Sequence, residues 1–371
     1  MRFPEFTKEW EEHALAEYLD FKNGLNPDVK RIGRGLPFIS VMDILADGTI
    51  NYDSIRGKVE ATEREIENFS VEKGDILFLR SSETLEDVGR ANVYMDNRTA
   101  VYGGFVIRGR KIGDYNPLFF KYLLSTPLAR KRTCRMGAGA QHFNIGQDGL
   151  SKISLCFPLM EEQNKIARLL SLIDERIATQ NKIIEKLQSL IKGLRVCCMQ
   201  RNGSNNVYLS EIAQIYQPQT ISSAELTEDG FLVYGANGII GKYKDYNHKT
   251  EQICITCRGN TCGMVNYTKP MSWITGNAMV INTDKYQDKV YKKYLYHYLS
   301  AYNFNSIISG SGQPQIVRTP LEKLKITLPT ISEQKQKAMI LDKVQDKIEI
   351  NHNILNLYIL QKQYLLRQMF I

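Results

Sequence analysis

The sequence lacks several features that would assign it to a well-known protein class. None of its apolar runs approaches the roughly 20 residues that a membrane-spanning helix needs, and residues 1–6 include no apolar leader segment. The seven cysteines are an odd number in a chain of 371 residues, which argues against a disulfide scaffold. These absences favour a soluble, cytoplasmic protein without a membrane partner.

Signatures of nucleotide and metal chemistry are also missing. The sequence has no Gly-x-x-x-x-Gly-Lys-Ser/Thr phosphate loop, and no Asn-Pro-Pro-aromatic or Asp-Pro-Pro-aromatic run of the kind that adenine methyltransferases carry. Cys254-Ile-Thr-Cys257, even with Cys262 nearby, is one CxxC without a second ligand pair, and its alternating isoleucines favour a strand over a zinc site. The glycines of residues 237–241 lack the rest of a dinucleotide-binding fingerprint and are interpreted as a β-turn. We therefore expect no metal site and no catalysis from this chain alone.

The sequence does contain an internal repeat at a spacing of 171 residues, in a chain whose formal charge of +8 favours a polyanionic partner. Pro158-Leu-Met-Glu-Glu162-Gln163 aligns with Pro329-Thr-Ile-Ser-Glu333-Gln334, and a long amphipathic segment follows each. Apolar residues recur there at alternating steps of four and three, which predicts a coiled-coil seam. The seam residues are Ile166, Leu170, Ile173, Ile177, Ile184, Leu187, Ile191 and Leu194, and then Leu341, Val344, Ile348, Leu355, Tyr358, Leu365 and Met369.

One polar position interrupts each seam, Gln180 in the first copy and Asn351 in the second. A polar side chain at a core position costs stability but can fix the register of a coiled coil. We therefore predict an antiparallel helix pair in which Gln180 and Asn351 lie within about one layer of each other. Lys337 and Lys362 also occupy seam positions, so the ends of the second helix are expected to fray or to be covered by a partner.

The remaining sequence forms two β-rich units, each followed by a long helix. The predicted divisions are residues 1–157, 158–201, 202–328 and 329–371, with a linker at residues 202–206. Strands are predicted at residues 37–41, 75–79, 100–107, 252–257 and 273–281, and shorter helices at residues 117–132 and 292–302.

This layout resembles the specificity subunit of Type I restriction-modification systems over essentially the whole chain. The resemblance rests on the two Pro…Glu-Gln…Ala helix starts, on the runs Gly74-Asp-Ile-Leu-Phe-Leu-Arg80 and Gln252-Ile-Cys-Ile-Thr-Cys-Arg258, and on two glycine-rich loops. It implies an α/β (α+β) fold in which two pseudo-repeated globular DNA target recognition domains are joined by two long antiparallel coiled-coil helices. It also implies that each domain reads one half of a bipartite DNA site.

The resemblance assigns the chemistry to partner subunits. It implies a non-catalytic chain that binds double-stranded DNA and docks adenine methyltransferase subunits, two of them, through the helices, with restriction or translocase subunits as further partners. S-adenosylmethionine, ATP and Mg are then expected in the partners, and no cofactor is expected in this chain. Two alternatives remain open: a coiled-coil protein adaptor with little DNA affinity, and a DNA-modifying enzyme whose active site the sequence does not reveal.

Helix length supports the resemblance independently. A helix over residues 162–200 would be ~58 Å long at 1.5 Å per residue, whereas successive major-groove faces of a duplex recur every ~34–36 Å. The helix could therefore act as a ruler between two half-sites. Because the two β-rich units differ in sequence, the half-sites are expected to differ.

Candidate DNA contacts are polar side chains at strand ends and in the glycine loops. Arg80 and Arg258 follow strands at places that we predict to be equivalent, where a guanidinium can reach guanine or phosphate. Amide side chains of the loops could pair with adenine, although a tight turn alone would also explain the glycines. The loop candidates are Gln141, His142, Asn144, Gln313 and Gln315.

Further candidates are basic residues suited to phosphate contacts, which position a protein on DNA without reading sequence. A solvated, charged helix end is the alternative interpretation for these residues. The candidates are Arg130, Lys131, Arg132, Arg135, Lys242, Lys244 and the adjacent Tyr243, and the predicted DNA-binding set also includes Asn260 and Arg318.

Overall fold

The computed structural model describes residues 2–139, 141–199, 205–236, 238–310 and 312–370. Contacts divide the chain into two units, of which the first comprises Met1–Asn181 with Ile354–Ile371 and the second comprises Lys182–Asn353. Both boundaries lie within long helices, so each unit contains one β-rich region and a segment of both helices. Across the described ranges, no helix is long and apolar enough to cross a membrane.

Short strands and helices make up the β-rich region of the first unit. The strands are β1 (Glu11–Ala14), β2 (Leu19–Asn23), β3 (Ile32–Ile39), β4 (Lys58–Val59), β5 (Ser70–Val71), β6 (Ile76–Leu79), β7 (Ser81–Ser82), β8 (Ala91–Val93), β9 (Ala100–Tyr102), β10 (Val106–Lys111), β11 (Phe143–Asn144) and β12 (Ser154–Phe157). The helices are α1 (Val41–Leu45), α2 (Glu63–Phe69), α3 (Pro117–Ser125), α4 (Pro127–Cys134), α5 (Gln147–Ser151) and the long α6 (Met160–Met199), which continues into the second unit.

The core of the first unit joins an antiparallel sheet to the helices. The sheet has the order β2-β10-β6-β8, and all four residues of β6 are buried. Phe119 and Phe120 of α3 belong to the same apolar cluster as Leu170 of α6 and Leu365 near the end of the chain. Burial of each such side chain stabilises the fold by about 1.5–3 kcal/mol relative to exposure.

The second unit repeats this plan. Its strands are β13 (Asn205–Tyr208), β14 (Gln214–Tyr216), β15 (Phe231–Gly235), β16 (Gly238–Tyr243), β17 (Ile253–Thr256), β18 (Val265–Tyr267), β19 (Trp273–Ile274), β20 (Ala278–Asn282) and β21 (Lys325–Leu328). Its helices are α7 (Lys292–Ala301), α8 (Arg318–Glu322) and the long α9 (Ile331–Gln368), whose last part belongs to the first unit. The sheet order β14-β20-β17-β18 matches β2-β10-β6-β8, and β21 pairs with β13 as β12 pairs with β1. The predicted pair of pseudo-repeated α/β units is thus confirmed.

The repeated Glu-Gln pair at the helix starts has a structural explanation. Gln163 is buried, its Oε1 accepts a hydrogen bond from the Asn116 amide at 3.0 Å, and its Nε2 donates to the carbonyl of the proline before α6. Gln334 likewise accepts from the Tyr291 amide at 2.7 Å and donates to the proline before α9. Because Asn116 and Tyr291 immediately precede α3 and α7, each glutamine ties a long helix to the short helix of its own unit.

In the first unit the two long helices run antiparallel. The ammonium of Lys362 lies 2.6 Å from Oδ1 of Asp174, and the guanidinium of Arg176 lies 5.9 Å from the ring centroid of Tyr358. The hydroxyl of Tyr122 in α3 donates to the other Asp174 oxygen at 2.7 Å. Lys362, which interrupts the predicted seam, therefore has an acidic partner on the opposite helix and fraying is not required.

The second unit contains the other half of the helix pair, in the same antiparallel sense. Nζ of Lys337 donates to the Cys198 carbonyl at 2.8 Å, and Arg195 lies 3.4 Å from Oε1 of Gln345. Lys337 thus caps the carbonyl end of α6. The buried seam residues of this half are Ile184, Ile191, Leu341 and Ile348.

The two polar seam residues lie in different units. Gln180 is buried in the first unit with 7% of its surface exposed. Asn351 is half-buried in the second unit, where its Nδ2 donates to the Lys347 carbonyl at 2.6 Å. Their predicted proximity and their role in the register stay a prediction.

Three predicted elements were wrong in detail because turns divide them. The helix predicted over residues 117–132 is two helices, since Thr126 has extended backbone angles (φ −66°, ψ 152°) and ends α3. Its Oγ1 accepts from the Ala129 amide at 3.3 Å and so caps α4, whose first residue is Pro127. The strands predicted at residues 100–107 and 273–281 are each interrupted by a turn, after β9 and after β19.

Two predicted turn or linker segments contain strands instead. Residues 205 and 206 of the predicted linker begin β13, while residues 202–204 lie outside the described residues. Residues 238–241, interpreted as a β-turn, begin β16, which forms an antiparallel pair with β15. Asn237, the first residue of that segment, also lies outside the described residues.

Candidate nucleic-acid interface

In the first unit, the end of β6 meets two other segments of the domain. The Arg80 amide donates to the Phe105 carbonyl at 2.8 Å, and the Arg80 carbonyl accepts from the Ile145 amide at 3.0 Å. Nη1 of the half-buried Arg80 side chain donates to the Gly104 carbonyl at 3.2 Å. Arg80 therefore holds together the turn after β9 and the segment that follows the glycine loop.

The glycine loop of the first unit is a tight turn closed by backbone pairing. Ala138 and Asn144 exchange two hydrogen bonds of 2.9 Å. Gly139 has a φ of +139°, and a Cβ there would collide with the His142 carbonyl, so the loop requires glycine at this position. Gln141, His142 and Asn144 are exposed.

The glycine loop of the second unit has the same geometry. Ser309 and Gln315 exchange backbone hydrogen bonds of 2.9 and 2.8 Å, and Gly310 has a φ of +93°. A Cβ on Gly310 would collide with the Gln313 carbonyl. Gln313 and Gln315 are exposed. Each position of this loop lies 171 residues after its counterpart in the first unit, which confirms that the two loops are equivalent.

The prediction that Arg80 and Arg258 occupy equivalent places is wrong by one residue. In the second unit it is Cys257 whose amide donates to the Asn277 carbonyl and whose carbonyl accepts from Ile316, both at 3.0 Å. These are the bonds that Arg80 makes in the first unit. Because consecutive residues of a strand face opposite sides, a slip of one position changes the surroundings of a side chain completely.

Arg258 instead corresponds to Ser81. Arg258 pairs through its backbone with Gln315, as Ser81 pairs with Asn144, and the Ser81 hydroxyl also donates to the Asn144 side chain. Arg258 is exposed, and the exposed Asn260 follows two residues later. Of the two arginines at the strand ends, Arg258 is therefore the one whose exposed side chain accompanies a glycine loop.

The predicted basic cluster divides into structural and exposed members. Nη2 of Arg130 donates to two carbonyls of the loop between β7 and β8, at 2.9 and 2.6 Å, and burial lowers the pKa of this arginine. Arg132 pairs with a glutamate of β1 at 2.8 Å. The Arg318 side chain is 60% exposed and forms a surface ion pair of 2.7 Å with the glutamate at the end of α8. Lys131 and Arg135 are exposed and remain the better candidates for phosphate contact.

The basic and aromatic residues of β16 and the segment after it are partly engaged with the fold. Nζ of Lys242 lies 3.2 Å from an Asp229 carboxylate oxygen, so its charge is partly compensated. The Tyr243 ring packs edge-on against Trp273, with centroids 5.0 Å apart. Lys244 is exposed, with its ammonium 6.0 Å from the Tyr243 centroid. Lys244 is therefore the more accessible of the two predicted lysines.

One exposed position in each unit was not predicted from the sequence. Phe105, 65% exposed, lies in the turn between β9 and β10, and Asn277 is exposed between β19 and β20. Both interrupt runs whose other residues are buried or half-buried. The available signal was the glycine immediately before each of them, Gly104 and Gly276, because glycine inside a strand pattern marks an interruption.

The cysteines of the second unit are poor metal ligands. Cys254 is completely buried in β17, and burial raises the pKa of its thiol to about 12, whereas metals bind the thiolate. Burial also raises the pKa of Cys257. Within the ranges that the structure describes, no group of three or more His, Cys, Asp or Glu residues could hold a metal ion.

Comparisons with known proteins agree on one family. The family model for the Type I restriction modification DNA specificity domain matches residues 7–189 and 202–357. The Type I restriction enzyme MjaVIII specificity subunit of Methanocaldococcus jannaschii is 26% identical over 403 residues, which cover 94% of this chain and 88% of that protein. The crystal structure of the Type-I restriction-modification system S subunit from M. genitalium matches with a TM-score of 0.68 and 16% identity, over 100% of this chain and 99% of its own. A chain from a structural study of complex assembly and conformational transition of the type I R-M system matches with a TM-score of 0.58 and 14% identity, over 98% and 97%.

Proposed function

Because the chain belongs to the Type I restriction modification DNA specificity domain family, we propose that it reads an asymmetric, bipartite site in double-stranded DNA, one half-site per recognition domain. One observation carries this proposal. In each unit a strand end, a turn and a glycine loop meet in the same arrangement beside an equivalent sheet, but the exposed side chains differ between the units. A shared scaffold with different side chains is what two readers of different half-sites need.

The asymmetry follows from the side chains that surround each glycine loop. The first unit offers the hydroxyl of Ser81 beside Asn144, with His142 at the loop. The second unit offers the guanidinium of Arg258 beside Gln315. A hydroxyl can form hydrogen bonds with several bases, an amide side chain favours adenine, and a bidentate guanidinium favours guanine. The two half-sites should therefore differ in sequence.

We further propose that the long helices dock two adenine methyltransferase subunits, with restriction or translocase subunits as additional partners. Large apolar side chains that do not belong to the seam support this docking. In the first unit Leu357, Leu360 and Tyr364 are 64%, 59% and 53% exposed at helical spacings of three and four. In the second unit Met339 and Ile350 are each 57% exposed. Exposed apolar stripes of this kind mark surfaces for protein partners.

The catalytic cofactors belong, on this proposal, to the partner subunits. S-adenosylmethionine would serve the methyltransferase, and ATP with Mg would serve the restriction subunit, while this chain is non-catalytic. The helices would set the distance between the half-sites. In support, the 40 residues of α6 extend over ~60 Å at 1.5 Å per residue, which exceeds the ~34–36 Å between successive major-groove faces.

The test is a genome-wide map of methylated adenines in cells that express this chain with its methyltransferase partner. In a matched strain, residues 207–328 are replaced by the corresponding residues of another specificity subunit. We expect a split motif of which one half changes and the other half persists. An unchanged motif, or the absence of any split motif, would place recognition elsewhere and would favour a protein adaptor.

A further inference from the structure

The turns that precede β10 and β20 are equivalent, bond for bond. In the first unit the Val106 amide donates to the Gly103 carbonyl at 2.9 Å, and in the second the Ala278 amide donates to the Thr275 carbonyl at 3.0 Å. The strands before the turns also correspond, because β9 pairs in parallel with β3 as β19 pairs in parallel with β15. The backbone therefore presents the third residue of each turn in the same way.

That third residue is Phe105 in one unit and Asn277 in the other, and both are exposed. Each is fixed through its carbonyl, which accepts a hydrogen bond from the end of the neighbouring strand: from the Arg80 amide at 2.8 Å and from the Cys257 amide at 3.0 Å. Because two backbone hydrogen bonds hold each turn, ordering of its backbone on binding costs little, which favours affinity.

Both positions lie next to the glycine loops. The carbonyl of Arg80 accepts from the Ile145 amide, and that of Cys257 accepts from Ile316, so a single strand-end residue separates each turn from the end of a loop. Three segments thus converge at one place in each unit: the strand end, the glycine loop and the turn. In each unit the turn residue is thus linked, through one strand-end residue, to the end of the loop that carries the predicted DNA contacts.

The turn of the first unit carries an exposed phenylalanine. Burial of a Phe side chain would stabilise the fold, yet 65% of Phe105 is exposed. An apolar cleft of about 250 Å³ adjoins it, lined by Phe38 and by Met42, which is 76% exposed. Phe105 is therefore part of a contiguous exposed apolar patch next to the glycine loop, and such patches mark contact surfaces.

We infer that Phe105 and Asn277 are equivalent specificity-determining positions, one for each half-site; this inference rests on the proposed function. Phe105 has no hydrogen-bonding group, and the apolar feature of the major groove is the methyl group of thymine. Asn277 carries an amide, which pairs bidentately with adenine N6 and N7. The first domain therefore selects a thymine at this position and the second domain selects an adenine.

The test uses the complete complex and the same map of methylated adenines. Phe105→Ala is expected to relax one position of one half-site, with about a 10-fold loss of discrimination, and to leave the other half-site unchanged. Asn277→Ala should do the converse. Phe105→Leu, which keeps an apolar side chain, should retain the preference for thymine, and Phe105→Asn should shift it towards adenine.

Matched controls separate recognition from stability. Ile112 is 61% exposed just after the opposite end of β10, so Ile112→Ala removes a similar exposed apolar group away from the turn. Gln287→Ala does the same for an exposed amide in the second unit. Both controls should leave the motif unchanged, and thermal unfolding should be the same for all variants.

The outcomes distinguish this inference from the proposed function. A split motif that stays sharp in both Phe105→Ala and Asn277→Ala would overturn the inference and leave the proposed function intact. A wild-type complex without a split motif would overturn both. Relaxation of both half-sites by a single substitution would also contradict the inference, because each position should act on its own half-site.

Discussion

At the residue scale, Arg258 combines the properties that base reading requires. It is exposed, its backbone is fixed by pairing with Gln315, and its guanidinium presents donors in a rigid fork. Arg80 follows an equivalent strand, but its Nη1 is bonded to the Gly104 carbonyl within its own domain. Two arginines that look alike in sequence thus have different surroundings: Arg258 is exposed, whereas Arg80 is bonded within its own domain.

Replacing Arg258 by Ala should relax one position of the half-site read by the second unit. If the guanidinium reads guanine, the lost discrimination should be ~1–3 kcal/mol. The measurement is the affinity of the complex for a set of DNA duplexes that differ at single positions. Lys285→Ala is the control, because Lys285 is an exposed cation of the second unit outside the predicted DNA-binding set. Equal weakening on every duplex would make Arg258 a phosphate contact instead.

His297 makes the stability of the second unit depend on pH. It is completely buried, its Nδ1 faces Nε of Arg195 at 3.3 Å, and its Nε2 faces Asp342 at 2.9 Å, while Lys293 also contacts Asp342. Burial lowers the pKa of His297 below its ordinary value of 6.5, although the hydrogen bond to Asp342 acts in the opposite direction. The folded state therefore holds a neutral imidazole with its proton on Nε2.

The free energy of unfolding should fall as pH is lowered through about 6.5. Below that pH the unfolded chain binds a proton that His297 does not bind in the folded state. The free energy of unfolding therefore falls by at most about 1.4 kcal/mol per pH unit. Urea unfolding at pH 7.5, 6.5 and 5.5 measures the slope. His297→Gln should flatten it, whereas His352→Gln, at an exposed position of α9, should not. Identical slopes for the two variants would contradict the assignment.

At the scale of elements, the long helices could be predicted because their signal is periodic and repeated. Seam residues such as Leu170 and Leu341 are buried as the alternating spacing requires. The break at Thr126 was missed because the apolar pattern continues across it, and the decisive features are one cap and one proline. The one-residue offset between Arg80 and Arg258 was missed because strand register is set by partners distant in sequence.

Lengthening both helices by one heptad should change the spacing between half-sites. Seven residues inserted after Asn181 and after Asn353 keep the seam periodicity and add about 10.5 Å, or about three base pairs. The map of methylated adenines should then show a longer spacer between unaltered half-sites. An insertion in α6 alone, which misaligns the seam, is the control and should abolish the motif. Changed half-sites with a constant spacer would refute the ruler.

At the scale of the whole molecule, the +8 charge should make DNA binding strongly dependent on salt. The logarithm of the binding constant should fall linearly with the logarithm of the salt concentration. The slope of this line should be about −0.9 for each phosphate that the protein neutralises. Lys131→Ala with Arg135→Ala should reduce this slope by about 2 and weaken binding equally on all sequences. Lys73→Ala is the control. Lys73 is exposed and precedes β6, whereas Arg80 follows the other end of that strand. An affinity insensitive to salt would support a protein adaptor.

The overall plan of the molecule and the two glycine loops could be predicted, whereas the exposed turn residues Phe105 and Asn277 could not. The repeat of Pro158 and Pro329 with their Glu-Gln pairs survives because each glutamine must bond the same backbone groups in each unit. Phe105 and Asn277 are different residue types on equivalent turns, so no repeated residue marks them. A sequence repeat marks positions where the two units are alike, whereas recognition of different half-sites, as proposed, requires positions where they differ.

The division of the chain has a consequence for its biosynthesis. Phe370 stacks on Phe119, with ring centroids 5.5 Å apart, and Leu365 and Met369 belong to the core of the first unit. The ribosome therefore synthesises the whole second unit, Lys182–Asn353, before it synthesises the helix segment that completes the core of the first unit. The first unit stays incompletely packed until that segment has been made. A stop codon that removes this segment should therefore destabilise the first unit, although most of that unit is synthesised first.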